Sequence, residues 1–187
     1  YLNHENIKIK MALLTALSLE SKNFPEIFTN YQFPELLEEL MREQEKMSFS
    51  DEDDTLISCS IAHIIARAKI EVLYPLLSHM IQFEEMNIKK QALLAAGITK
   101  DMFFVKDILD QLKYRNLKKD IREAMINYDE KIIPVIVREL ESHIVLNNWK
   151  SDLIRIISLV YSSKSIHYLL DNMNMDDLWL RFHILKG

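Results

Sequence analysis

Two glycines and four prolines are spread over 187 residues, about 3% of the chain where an average protein carries roughly 12%. Tight turns depend on those two residue types, because Gly supplies positive φ and Pro pre-sets the turn. The chain therefore lacks the punctuation of an all-β sandwich or barrel. With only Gly97 and Gly187 available, it cannot assemble a Gly-rich phosphate loop or a dinucleotide fingerprint either. Apolar residues make up 49%, too many for a disordered segment. A domain of this length buries about 70% of its unfolded surface, so a compact, nearly all-helical protein is expected.

Cys59 is the single cysteine, which leaves no internal disulfide and no Cys-based metal site and suits a reducing compartment. The longest runs without Asp, Glu, Lys or Arg are twelve residues each, Thr55 to Ala66 and Val72 to Phe83. A spanning helix needs about 20, so no membrane insertion of this segment is expected. No secretory signal is evident. The chain opens at Tyr1 and closes on an apolar helical pattern, Leu180 to Lys186. Both ends read as cut, and a module excised from a longer protein is expected.

The formal net charge of −5 is unevenly placed. Glu35 to Asp54 holds nine acids against two bases, whereas Lys89 to Arg122 holds nine bases against four acids. The simplest account of each block is a solvated helix face. The acidic total argues against general nucleic-acid affinity, which depends on phosphate neutralisation.

A short signature recurs: Asn, a large apolar residue, Lys. It stands at Asn6-Ile7-Lys8, Asn87-Ile88-Lys89, Asn116-Leu117-Lys118 and Asn148-Trp149-Lys150, with a looser copy at Leu180-Arg181. Lys89, Lys118, Lys150 and Arg181 are separated by 29, 32 and 31 residues. Apolar residues continue at helical spacing after each copy, as in Ile88, Ala92, Ala95 and Ala96. Asn is a good N-cap, so each signature is expected to start a helix. A second helix type alternates with it. Aligned on Met80, Leu112, Leu140 and Met173, its copies step by 32, 28 and 33 residues. Two helices about every 30 residues is the pattern of stacked helical hairpins, because one hairpin cannot cover its own apolar faces. The first third is less regular. Pro25 and Pro34 suit helix first turns, an acidic helix is expected from Leu36 to Met47, a polar loop over 48–54, and a helix from Asp54 to Ala66.

The alternation resembles HEAT or armadillo-type repeats over nearly the whole chain, and Ile88-Lys-Lys-Gln-Ala-Leu-Leu-Ala-Ala96 is similar to the second-helix consensus of that family. The last unit, Ile156 to Lys186, is similar to the HEAT segment beside the transport domain of some bacterial nucleotide-transporter-like membrane proteins. The first repeat is stretched, and Ser58 stands where the basic residue belongs. The resemblance implies an all-α, right-handed α-α superhelix, a HEAT-like α-solenoid of about five to six hairpins. It forms one domain over 1–187, with irregular first repeats in 1–54 and regular ones in 55–187, and its second helices line the concave face.

The residues do not suggest catalysis, metal binding or a cofactor. No glycines flank a nucleophilic serine. None of His4, His63, His79, His143, His167 and His183 forms an i, i+4 pair for a metal. The HEAT resemblance brings to mind hydroxylases that hold a di-iron centre with several His-Glu dipeptides, and this chain has His4-Glu5 alone. The run Asp51 to Asp54 lacks the glycine and downstream Glu of a calcium loop. Adjacent carboxylates such as Glu84-Glu85 and Asp176-Asp177 diverge by about 100° on a helix. Trp149 and Trp179 are read as packing residues.

What remains is a non-catalytic protein-protein interaction, scaffold or regulatory module, cytoplasmic, binding a protein partner or another domain of its parent. If matching helices stack, Lys89, Lys118, Lys150 and Arg181 form a basic ladder, strengthened by Lys119 and Arg122. These bases either pair with carboxylates of the next repeat or form a strip for an acidic partner. Two alternatives stand beside this reading. The HEAT-like DNA glycosylases, which cradle duplex DNA on a basic face, suggest nucleic-acid binding, and the Lys89–Arg122 excess with Tyr114 between Lys113 and Arg115 motivates it. The transporter-like resemblance suggests a regulatory segment at the cytoplasmic face of a membrane.

Overall fold

The computed structural model describes residues 7–28, 32–46, 52–141, 147–173, 181–182 and 184–185. Among the described residues the protein is all α, with eleven α-helices and no strand. They fall into two compact units, Tyr1–Thr99 and Lys100–Gly187. No helix among the described residues is long and apolar enough to cross a membrane.

The first unit holds α1 (Ile7–Glu20), α2 (Pro25–Phe28), α3 (Gln32–Lys46), α4 (Glu52–Ala68), α5 (Tyr74–Gln82) and α6 (Met86–Thr99). Pro25 opens α2 and Pro34 lies in the first turn of α3, where a missing N–H costs nothing. Helix α4 starts two residues before Asp54, and Glu52, Asp53 and Asp54 fill its first turn. Three carboxylates there complement the positive end of the helix dipole; this is why the expected polar loop gives way to helix at residue 52, while its earlier residues lie outside those described. Helix α4 packs against α1 and α6 and also touches α2, α3 and α5, while α5 and α6 form a hairpin.

The second unit holds α7 (Val105–Asp110), α8 (Lys118–Ile126), α9 (Ile133–Glu141), α10 (Asn147–Leu159) and α11 (Ser163–Met173). Helices α7 and α8 pair, as do α9 and α10. Helix α10 also packs on α8 and α11.

Burial repeats in register. In α4 the buried positions include Ile57, Ile61, Ile64, Ile65 and Ala68. In α6 they include Ile88, Ala92, Ala95, Ala96 and Thr99. Leu117, Ile121, Ala124, Met125 and Tyr128 hold the same places along α8 and its flanks, and Leu153, Ile156, Ile157 and Val160 along α10. Each set follows the 3.6-residue period of an apolar helix stripe. Thr99 returns its hydroxyl to the Ala96 carbonyl at 2.7 Å, which removes the cost of an unpaired buried donor.

The connections repeat as well. Lys69, Lys100 and Asp129 have φ of 53°, 58° and 54°, and they follow α4, α6 and α8. Lys69 and Lys100 lead into 3-10 turns (Glu71–Leu73 and Met102–Phe104) and Asp129 opens one (Asp129–Ile132), ahead of α5, α7 and α9. After α4 the Ile70 N–H donates to the Ile65 carbonyl at 3.0 Å, and both residues are buried. That is a Schellman closure, in which a left-handed residue lets the chain satisfy the last carbonyls of the helix.

The Asn signatures sit slightly inside the helices they were expected to cap. Asn87 is the second residue of α6, and its N–H donates to Glu85 Oε1 at 2.9 Å; Glu85, not Asn87, supplies the cap. Asn116 lies in a 3-10 turn, Arg115–Leu117, ahead of α8, and Asn148 follows Asn147 at the start of α10. Asn6 lies outside the described residues.

His63 ties α4 to α6: its Nε2 donates to Gln91 Oε1 at 3.0 Å. Its Nδ1 is buried and accepts no hydrogen bond among the described residues. Burial holds the imidazole pKa below its ordinary 6.5, with the Gln91 bond opposing and the Arg67 charge assisting.

Two predictions follow from these contacts. The unfolded chain takes up the His63 proton more readily than the native one, so stability falls as pH drops through and below 6.5. In His63→Leu this acid-side slope, read from urea midpoints across pH, becomes shallower. Lys69→Gly removes the side chain from a left-handed position, and the expected gain is about 0.5–1 kcal/mol, seen as a higher urea midpoint at unchanged m-value.

Candidate interaction site

Lys118 and Arg122 are four residues apart on α8 and so share a face. Asp152, on α10, lies between them. Lys118 Nζ donates to Asp152 Oδ2 at 2.5 Å, and Arg122 Nη1 reaches Oδ1 at 3.5 Å. The Asp152 side chain is 9% exposed, against 25% for Lys118 and 20% for Arg122. One carboxylate thus answers two half-buried cations. The Lys118 contact is a short charge-assisted bond, whereas the Arg122 contact lies at the outer limit of hydrogen-bond geometry. A guanidinium carries five N–H donors, and this is its one ion pair among the described residues. The cluster keeps one net positive charge.

Of the other bases singled out in the sequence, Lys119 is exposed on α8, Lys150 is half-buried on α10 and Arg181 is exposed. Lys89 lies on α6 in the first unit and is 3% exposed, so it offers no charge to an accessible strip. The structure brings Lys118 and Arg122 together and leaves Lys89 in the other unit. Asp152 was the residue that the sequence reading missed. Its signal was present: it falls three residues after Trp149 and one before the buried Leu153, an acid on an apolar helical stripe. The His4-Glu5 pair, Asp51, His143, Asp176-Asp177, Trp179 and His183 lie outside the described residues.

A cleft of about 340 Å³ lies in the same unit. Its walls come from α7 and α9 and its floor from α10. Met102, Val105, Leu109, Val135, Trp149 and Leu153 supply apolar surface, and Lys106, Asp110, Arg138 and Glu139 stand at its edge. Trp149 lines this cleft and is half-buried, whereas Ile88 and Leu117 at the matching positions are fully buried.

Cys59, on α4, is pushed up to about 11 by burial first and by the Glu85 charge second. The thiol therefore stays protonated at neutral pH, and the thiolate is the form that attacks. Among the described residues no three His, Cys, Asp or Glu side chains are grouped as a metal site. No family model matches the chain, and no curated protein or solved structure matches it.

Replacing Asp152 tests the cluster. Asp152→Ala leaves two half-buried cations facing each other, and the expected loss is about 1–3 kcal/mol by urea denaturation. Part of it is recovered when Arg122→Gln is added, because the second substitution removes the weaker-held charge.

Proposed function

We propose that this chain is a HEAT-like α-solenoid module that binds a protein partner through its second helices. The observation that supports the reading is the in-register burial along α4, α6, α8 and α10, joined by the same left-handed turn after three of them. A stripe of that kind is buried only against neighbouring helices, and stacked hairpins supply them. On this reading α4, α6, α8 and α10 are successive second helices of a right-handed α-α superhelix. The proposed contact surface is the exposed part of α8 and α10. Helices α8 and α10 hold five bases (Lys118, Lys119, Arg122, Lys150, Arg155) against three acids (Asp120, Glu123, Asp152), so their charge is basic on balance. An acidic protein segment, from a partner or from another domain of the parent protein, is the complementary ligand. The reading assigns the module no reaction of its own.

The experiment is site-specific photo-crosslinking from positions 123 and 155, exposed on α8 and α10, in the full chain, followed by identification of the captured protein. Capture is expected to fall by about tenfold, equivalent to ~1.4 kcal/mol, in Lys119→Glu/Lys150→Glu. Lys8→Glu, on α1, leaves it unchanged. A crosslinking pattern indifferent to both substitutions, or nucleic acid recovered in place of protein, counts against the proposal.

A further inference from the structure

We propose a second site, in the first unit, that binds a soluble phosphomonoester bearing a small apolar group. It is a surface cleft of about 440 Å³ at the C-terminal ends of α1, α4 and α6, lined by Leu19, Lys22, Ala66, Arg67, Lys69 and Ile98. Three of the six are cations and none is an acid. The volume lies within the range of small-ligand sites. The cleft shares no residue with the Lys118–Arg122–Asp152 cluster, so the two proposals stand or fall separately.

The three positive charges are held there by the fold. Arg67, half-buried, donates from Nη1 to the Ser18 carbonyl at 2.7 Å. That bond fixes the guanidinium across the end of α1 without cancelling its charge, and leaves its other N–H groups for a ligand. Lys69 is exposed and occupies the left-handed turn after α4, with φ 53°. Lys22 is exposed in the turn after α1. Glu20, the acid nearest to it in sequence, is exposed and does not belong to the lining. The helix C-termini add only partial negative charge, about half an elementary charge each before screening, against three full positive charges.

Like charges grouped without a carboxylate repel one another, and a bound anion relieves that repulsion. A phosphate monoester carries about −1.5 to −2 charges at neutral pH with three acceptor oxygens, a better match to three cations than a single carboxylate. The apolar part of the ligand answers the rest of the cleft. Leu19 is 63% exposed and Ile98 38% exposed, with the buried Ala66 between them on the lining. A small aryl or alkyl group laid on these side chains removes apolar surface from water, while the phosphate faces Lys22, Arg67 and Lys69.

The test is calorimetric titration of the full chain at low salt with phenyl phosphate, inorganic phosphate and phenol. Phenyl phosphate is expected to bind at least about tenfold more tightly than inorganic phosphate, with phenol silent and the affinity falling as salt rises. Lys22→Gln with Lys69→Asn is expected to weaken phenyl phosphate by about tenfold or more; both side chains are exposed, and Asn tolerates the left-handed backbone at 69. Lys119→Glu is expected to change nothing. The proposal is overturned if phenyl phosphate does not bind, if it binds no better than inorganic phosphate, if the paired substitution has no effect, or if binding occurs only to vesicles containing phosphatidic acid.

Discussion

Everything in the two units depends on α4, α6, α8 and α10 burying an apolar stripe against neighbouring helices. Helix α4 shows how this works. Its isoleucines at 57, 61, 64 and 65 are all fully buried, and it packs between α1 and α6. The corresponding residues of α6 are Ile88 and then Ala92, Ala95 and Ala96. The stripe of α4 is built of large side chains and that of α6 mostly of small ones, and small residues favour close approach of packed helices. In α8 the set mixes Ile121, Ala124 and Met125. A helix with such a stripe cannot stand alone, since its burial comes from neighbours and not from its own propensity.

The second constraint is that almost no glycine is available. A helix that must turn sharply usually ends on Gly in the left-handed region. Here Lys69, Lys100 and Asp129 do so, at about 1–2 kcal/mol each for an L-residue with a Cβ. Satisfied carbonyls and a buried residue just beyond, as with Ile70, offset that strain. A left-handed residue stands at three matching places, after α4, α6 and α8, each beside a 3-10 turn.

Polar residues within this apolar scheme tie helix to helix. Gln91 and Asp152 hold equivalent places, each three residues after the first apolar residue of its stripe. Gln91 reaches back to His63 and Asp152 to Lys118 and Arg122. One pair is neutral and the other ionic. Bonds of this type add little net stability once desolvation is counted, but they penalise any slip of one helix along the other. At the Asp152 cluster the charges do not cancel, and for that reason the cluster is a surface of interest and not only a register pin.

Helical class was legible in the chain because it follows from local facts: scarce Gly and Pro, and apolar residues at a 3.6-residue period. The buried positions of α6 and α10 could be named from spacing alone, since burial on a helix is periodic. The cap of α6 was misassigned by two residues, because the choice between Asn87 and Glu85 rests on which side chain reaches an N–H, and spacing does not report reach. The fate of the bases was beyond the linear pattern. Lys89 and Lys118 have the same local context, yet one is buried in the first unit and the other shares an acid 34 residues further along. Likewise Lys22, Arg67, Lys69 and Ile98 show no common pattern along the chain, and only packing places them around one cleft. Periodicity is a property of neighbours in sequence, whereas charge pairing and concavity are properties of neighbours in space.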